Sequence, residues 1–258
     1  MTKTIHLNGV QVHYYDEGSG DAIVILHGWG SSADSWRTVL DDLVGRGFRV
    51  VIPDLPGFGR TAEPPSAWGL DEYTDFAHSF IQQCQLAPCT LVGHSFGGRI
   101  AIDYATRYGT DVQNVVLIGA AGITRPGGLK RRMSGIAAKV GRALFSLPLL
   151  LKARPLAQKI VYRIVGERDY VRSSPRMKEV MSKVLEADLR SALPKITQPT
   201  LLLWGALDKT TPVSDARIAQ QEVPRATLYI IEGAHHSLQR EVPHDVVRAI
   251  AAFQEQTT

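Results

Sequence analysis

Short apolar runs recur along the chain, and between most of them lies one amphipathic stretch. Residues 4–7 and 10–15 come first, parted by Asn8-Gly9, a dipeptide that favours a two-residue hairpin turn. Residues 22–26, 49–53, 90–93, 112–119, 200–204 and 227–232 follow, rich in Val, Ile and Leu. Continuous apolar runs of this length predict strands buried on both faces of a parallel sheet. Helical periodicity occupies residues 36–45, 70–84, 98–108, 214–221 and 243–256. Strand alternating with helix predicts an α/β fold, a doubly wound and mostly parallel sheet.

The alternation breaks once. From residue 122 to 197 no buried strand is predicted, only helical pattern punctuated by Pro126, Pro148, Pro155 and Pro175. The rhythm resumes at Gln198-Pro199-Thr200. The expected organisation is a core domain made of residues 1–121 and 198–258, with residues 122–197 inserted as a helical cap. Such a cap would leave and rejoin the sheet at the end where strand C-termini and ligand sites lie.

One of the predicted strand-to-helix junctions carries chemistry. Gly93-His94-Ser95-Phe96-Gly97 fits Gly-x-Ser-x-Gly between the strand at 90–93 and the helix at 98–108. Flanking glycines permit a corner too tight for a neighbouring Cβ, and that corner lifts the serine hydroxyl above the sheet edge. A serine that only caps the helix would leave the same local pattern. A serine nucleophile, however, needs a base, usually a histidine oriented by a carboxylate. Asp208 follows the strand at 200–204, and His235 and His236 follow the strand at 227–232. Asp208 also suits a loop or helix N-cap before Pro212. The other late-strand loop offers only Ala120-Ala121-Gly122, which strengthens Asp208 as the acid. Either histidine fits the base position.

Three further segments give the chain a family likeness. His27-Gly28-Trp29-Gly30, Asp54-Leu55-Pro56-Gly57-Phe58-Gly59-Arg60 (with Thr61 beside it) and Glu241-Val242-Pro243 stand in order around the serine motif. Together they resemble the α/β-hydrolase superfamily, and within it a carboxylesterase-like serine hydrolase with a helical cap. The resemblance implies the α/β-hydrolase fold, with Ser95 as nucleophile and Asp208 as acid. It also chooses His236 as base, because the family's histidine precedes the glutamate by five positions. It implies an oxyanion hole formed by the backbone N–H groups of Trp29 and Phe96, the same two residues lining the acyl pocket. His27 is expected to brace its loop. Neither a cofactor nor a metal is implied. The expected substrate is a small or medium carboxylic ester. Carbon–carbon hydrolysis of the meta-cleavage type, thioester hydrolysis and acyl transfer share the constellation, and a hydrolase-fold ligand receptor would retain it without turnover. An aspartate nucleophile, as in dehalogenases and epoxide hydrolases of this fold, is absent.

Composition narrows the setting. The chain has 258 residues, 44% hydrophobic and 21% charged, as expected of a water-soluble globular protein. Its first residues have no apolar signal core, and its only cysteines, Cys84 and Cys89, suggest reduced thiols, so the cytoplasm is the expected location. Charge is unevenly spread. Residues 125–190 hold sixteen Lys/Arg and five Asp/Glu, a net +11, which leaves −7 for the rest of a chain whose total is +4. Lys130, Arg131, Arg132, Lys139 and Arg142 alternate with apolar residues, a pattern that suits contact with anionic lipid or steering of anionic substrates. It equally suits a cap that packs its apolar stripe and solvates its cations. No nucleic-acid module accompanies the charge, so nucleic acid is not an expected partner.

Overall fold

The N-terminal hairpin joins β1 (Thr2–Leu7) to β2 (Val10–Glu17) with Leu7 opposite Val10. Asn8 and Gly9 take φ of 50° and 77°, the two left-handed conformations that such a tight turn demands. The computed structural model describes residues 2–123 and 173–257. Six more strands complete the sheet: β3 (Ala22–Leu26), β4 (Arg49–Pro53), β5 (Cys89–His94), β6 (Val112–Ile118), β7 (Thr200–Gly205) and β8 (Ala226–Ile231). Their order is β1-β2-β4-β3-β5-β6-β7-β8. Pairings from β4 across to β8 are parallel, whereas β1–β2 within the hairpin and β2–β4 beside it are antiparallel.

Helices cover both faces of this sheet, because alternate side chains of each strand point to opposite sides. On one face Ile23, Ile25, Val50, Val92 and Leu203 meet α1 (Arg37–Gly45) and the C-terminal α7 (Pro243–Thr257) through Leu40, Leu43, Val247 and Ile250. On the other, Val24, Leu26, Leu91 and Leu117 meet α2 (Leu70–Gln83) and α3 (Phe96–Arg107) through Phe76, Phe80, Ile100 and Tyr104. Each fully buried aliphatic side chain contributes about 1.5–3 kcal/mol, so the two cores rather than the turns hold the strand ends in place.

The predicted elements appear with ends shifted by up to two residues, and one expectation needs correcting. The run at 227–232 was expected to be buried on both faces, yet β8 alternates partly buried and exposed positions, with Tyr229 53% exposed. It is an edge strand, paired among the described residues only to β7, and it lies beside α5 (Val213–Glu222). Cys84 and Cys89 are free thiols.

Between β6 and β7 the described part of the predicted cap is its two ends. The chain returns through α4 (Pro175–Glu186), which opens with Ser174 accepting the N–H of Met177 and Pro175 in its first turn. The N–H of Leu189 donates to the carbonyl of Gly122 at 3.1 Å, so departure and return are tied together. Arg99 of α3 donates to the carbonyls of Val184 and Ala187, and Lys183 and Arg176 donate to those of Ala67 and Pro64. The basic residues from Lys130 to Arg163 lie outside the described residues. Among the described residues no helix is long and apolar enough to cross a membrane.

Candidate active site

Ser95 stands at the corner between β5 and α3 with φ 51° and ψ −108°. A non-glycine residue in that region is strained, and the surroundings keep it there. A Cβ on Gly93 would come 2.5 Å from the carbonyl oxygen of Gly97, and one on Gly97 only 2.0 Å from that of Leu26. The two glycines therefore let the strand, the corner and the neighbouring β3 loop close up. The helix was expected from residue 98 but begins at Phe96, directly after the corner. The N–H groups of that first turn have no carbonyl to receive them within the helix, so the N–H of Phe96 emerges beside Ser95.

The loop after β3 supplies the facing surface. The Ser31 N–H closes a turn on the Gly28 carbonyl at 3.2 Å, with Gly30 at φ 67° in its third position. Trp29 occupies the second position, whose N–H such a turn does not use. His27 is buried and braces this loop: its Nε2 accepts the Leu55 N–H at 3.0 Å, which puts the proton on Nδ1 for the Gly28 carbonyl at 2.8 Å. Burial lowers its pKa, keeping the ring neutral as that pattern requires. Asp54 links two loops, accepting the N–H of Ala33 on one oxygen and that of Arg60 on the other. Trp29 meets Phe58 and Phe96 with ring centroids 4.9 and 5.5 Å apart, and Phe96 meets Tyr73 at 5.0 Å. These edge-to-face contacts form an aromatic wall beside the corner. Tyr73 was not singled out from the sequence, where it reads as an ordinary helix aromatic, and Phe58 was noted only as part of the family-like stretch 54–60.

Asp208 and His236 meet at the ends of β7 and β8, with His236 Nδ1 2.7 Å from Asp208 Oδ2. The Asp208 side chain is 1% exposed. Burial works against its charge, but hydrogen bonds from His236 and Thr211 outweigh that and hold its pKa below the ordinary carboxylate value. Its other oxygen, Oδ1, accepts the N–H groups of Thr210 and Thr211 at 2.8 and 2.9 Å. The turn-capping role that its position before Pro212 suggests is thus present alongside the histidine contact. The Thr211 hydroxyl lies 2.8 Å from Asp208 Oδ2 and 3.0 Å from the Gly119 carbonyl. Sequence reading missed Thr211, whose only signal is its place three residues after Asp208.

His235 points elsewhere. It is exposed, and its Nδ1 lies 3.1 Å from Glu241 Oε2. Glu241 closes α6 (Leu238–Glu241) and accepts backbone N–H groups on both sides of His236, that of His235 at 2.8 Å and that of Ser237 at 3.1 Å. Partial burial raises the Glu241 pKa, but these N–H donors and the His235 ring outweigh it and leave the pKa lowered.

His94 is the remaining unassigned group. It occupies the variable position before Ser95, is buried, and points its Nε2 at the backbone carbonyl of His236, 3.0 Å away. Burial and the nearby His236 drive its pKa down to about 3, so it is neutral, with its proton on Nε2. Nothing in the Gly-x-Ser-x-Gly pattern marks this residue. Among the described residues, no three of His, Cys, Asp and Glu are grouped to hold a metal ion.

Residues 23–249 match the model of the alpha/beta hydrolase family. Lipase 3 of Moraxella sp. strain TA144 is 25% identical, the match covering 93% of this chain and 79% of the lipase. A non-heme haloperoxidase of Rhodococcus erythropolis is 30% identical, over 90% of this chain and 91% of that protein. Among solved structures, a membrane phospholipase A described as a bacterial virulence factor superposes with a TM-score of 0.79 at 25% identity, covering 100% of this chain and 86% of its own.

Proposed function

The chain belongs to the alpha/beta hydrolase family, and from that premise we propose that it hydrolyses carboxylic esters through a covalent acyl-enzyme on Ser95. The reading is carried by one observation: the Asp208–His236 pair, 2.7 Å apart, stands on the loops that follow β7 and β8, at the same end of the sheet as the corner after β5 that carries Ser95. With Nδ1 engaged by Asp208, Nε2 is the free basic atom of His236. Ser95 Oγ attacks the ester carbon and gives its proton to that Nε2. The carbon–oxygen bond then breaks, and the leaving alcohol takes the proton. Water repeats the sequence on the acyl-enzyme, losing a proton to His236, and the acid departs with Ser95 restored. Asp208 holds the imidazole in the required tautomer and stabilises the cation. The Trp29 and Phe96 N–H groups receive the oxyanion, each worth on the order of 3 kcal/mol.

The aromatic wall of Trp29, Phe58, Phe96 and Tyr73 favours an apolar acyl group of small or medium size. Residues 122–197 would cover it as a cap. The names of two relatives, lipase and phospholipase, agree with ester cleavage. A panel of p-nitrophenyl esters of rising acyl length, with a thioester and a vinylogous diketone beside them, tests the reading. Turnover should be greatest on short to medium esters. Turnover of the diketone or thioester alone, or binding with no turnover, would contradict it.

A further inference from the structure

We propose that His94 is a positioning residue that sets the separation between the nucleophile and its base. The inference rests on the serine-hydrolase reading above and names a residue which that reading leaves unused.

His94 and Ser95 are consecutive, and the corner they share cannot relax. Ser95 is held at φ 51°, its N–H donates to the Ile118 carbonyl at 3.0 Å, and its own carbonyl accepts the Ala121 N–H at 3.1 Å. From this rigid corner the His94 Nε2–H reaches the carbonyl of His236 at 3.0 Å. One peptide therefore carries both the attacking hydroxyl and the donor that anchors the backbone of the base. Asp208 fixes the imidazole at Nδ1 but not the place of the His236 Cα. Glu241 holds the N–H groups on either side of His236, and it does so from a half-exposed surface. The Leu207 N–H holds the Ala234 carbonyl at 2.9 Å from the β7 side, and His94 holds the carbonyl of His236 itself from the side of the corner.

The surroundings suit this single task. The His94 ring packs at 6.0 Å from Trp36 and 5.0 Å from the His236 ring. A Cβ on Gly28 would stand 2.8 Å from His94 Nδ1. That nitrogen has no hydrogen-bond partner among the described residues. Leaving a buried acceptor without a partner is unfavourable, a reason to expect an apolar residue here unless the opposite nitrogen has a task. The chain keeps histidine, and its one hydrogen bond goes to the carbonyl of the base. Misplacing reacting groups by ~1 Å can cost about 10²-fold in rate, so an anchor at this point acts on turnover rather than on substrate binding.

The test compares His94→Met, which fills the space without donating, with His94→Gln, whose amide can reach the same carbonyl. Turnover is expressed per site titrated with a fluorophosphonate, so that misfolded protein is not counted. His94→Met should lower kcat about 10- to 100-fold with KM within about twofold, and His94→Gln should recover most of that loss. Hydrogen–deuterium exchange across residues 233–238 should rise in the Met variant and stay near wild type in the Gln variant. Three results overturn the proposal: kcat per titrated site unchanged in His94→Met, equal losses in both variants, or a loss confined to KM. Should the wild-type protein lack Ser95-dependent turnover and labelling, the serine-hydrolase reading itself fails and this inference with it.

Discussion

The Thr211 hydroxyl and the His236 ring share one oxygen of Asp208, Oδ2, at 2.8 and 2.7 Å. Thr211 therefore presents that oxygen to the imidazole, and its backbone N–H holds the other oxygen at 2.9 Å. Replacing Thr211 by Val keeps the shape and the backbone bond but removes the hydroxyl. We expect a loss of about 1 kcal/mol of orientation, a three- to tenfold fall in kcat with KM little changed. Steady-state kinetics on one ester would show it, and an unaltered kcat would leave Thr211 as loop packing only.

Asp208 also makes a prediction about stability. Its folded pKa lies below the value of about 3.9 for an unfolded chain. Its charge thus contributes stability that is complete above pH ~5 and is lost as pH falls through 4 and below. Denaturant unfolding of wild type and Asp208→Asn should show a difference that narrows across that range. Parallel pH profiles would mean that the carboxylate gains nothing from His236 and Thr211.

The two neighbouring histidines should behave differently. His235 is 60% exposed at its side chain and engages Glu241, whereas His236 engages Asp208. His236→Ala should lower turnover by at least ~10³-fold and His235→Ala by about threefold or less. Comparable losses in the two variants would reverse the assignment of the base.

How much of this was legible beforehand varies with the kind of interaction. The strands and the corner at Ser95 were readable because apolar runs and paired glycines are local signals. Asp208 and His236 were readable from their places after late strands, helped by family likeness. Thr211 and Tyr73 were not, since each matters through a partner distant in sequence or through a carbonyl that no pattern marks. His94 is hidden more completely: it sits inside the most conspicuous motif, yet its contact lies 142 positions away. The exposure of β8 was misread because an apolar run does not say whether helices will cover both faces of its strand.

The +11 stretch at residues 125–190 yields a prediction from charge alone. If it recruits anionic substrates or interfaces, turnover of anionic esters should fall between low and 0.1 M salt, where screening acts within about 10 Å. Neutral short esters should respond little. Replacing Lys130, Arg131 and Arg132 together by Gln should reproduce the salt effect. Identical salt responses for both ester classes, with no sedimentation on anionic liposomes, would reduce the stretch to a solvated surface.

The central claim is that Ser95 becomes covalently acylated. Treating the protein with a fluorophosphonate and mapping the adduct by peptide mass spectrometry tests it most directly. The account predicts a single adduct on the peptide containing Ser95, loss of ester turnover in step with labelling, and neither adduct nor turnover in Ser95→Ala. An adduct on another residue, or a Ser95→Ala protein that still turns over ester at the wild-type rate, would contradict it.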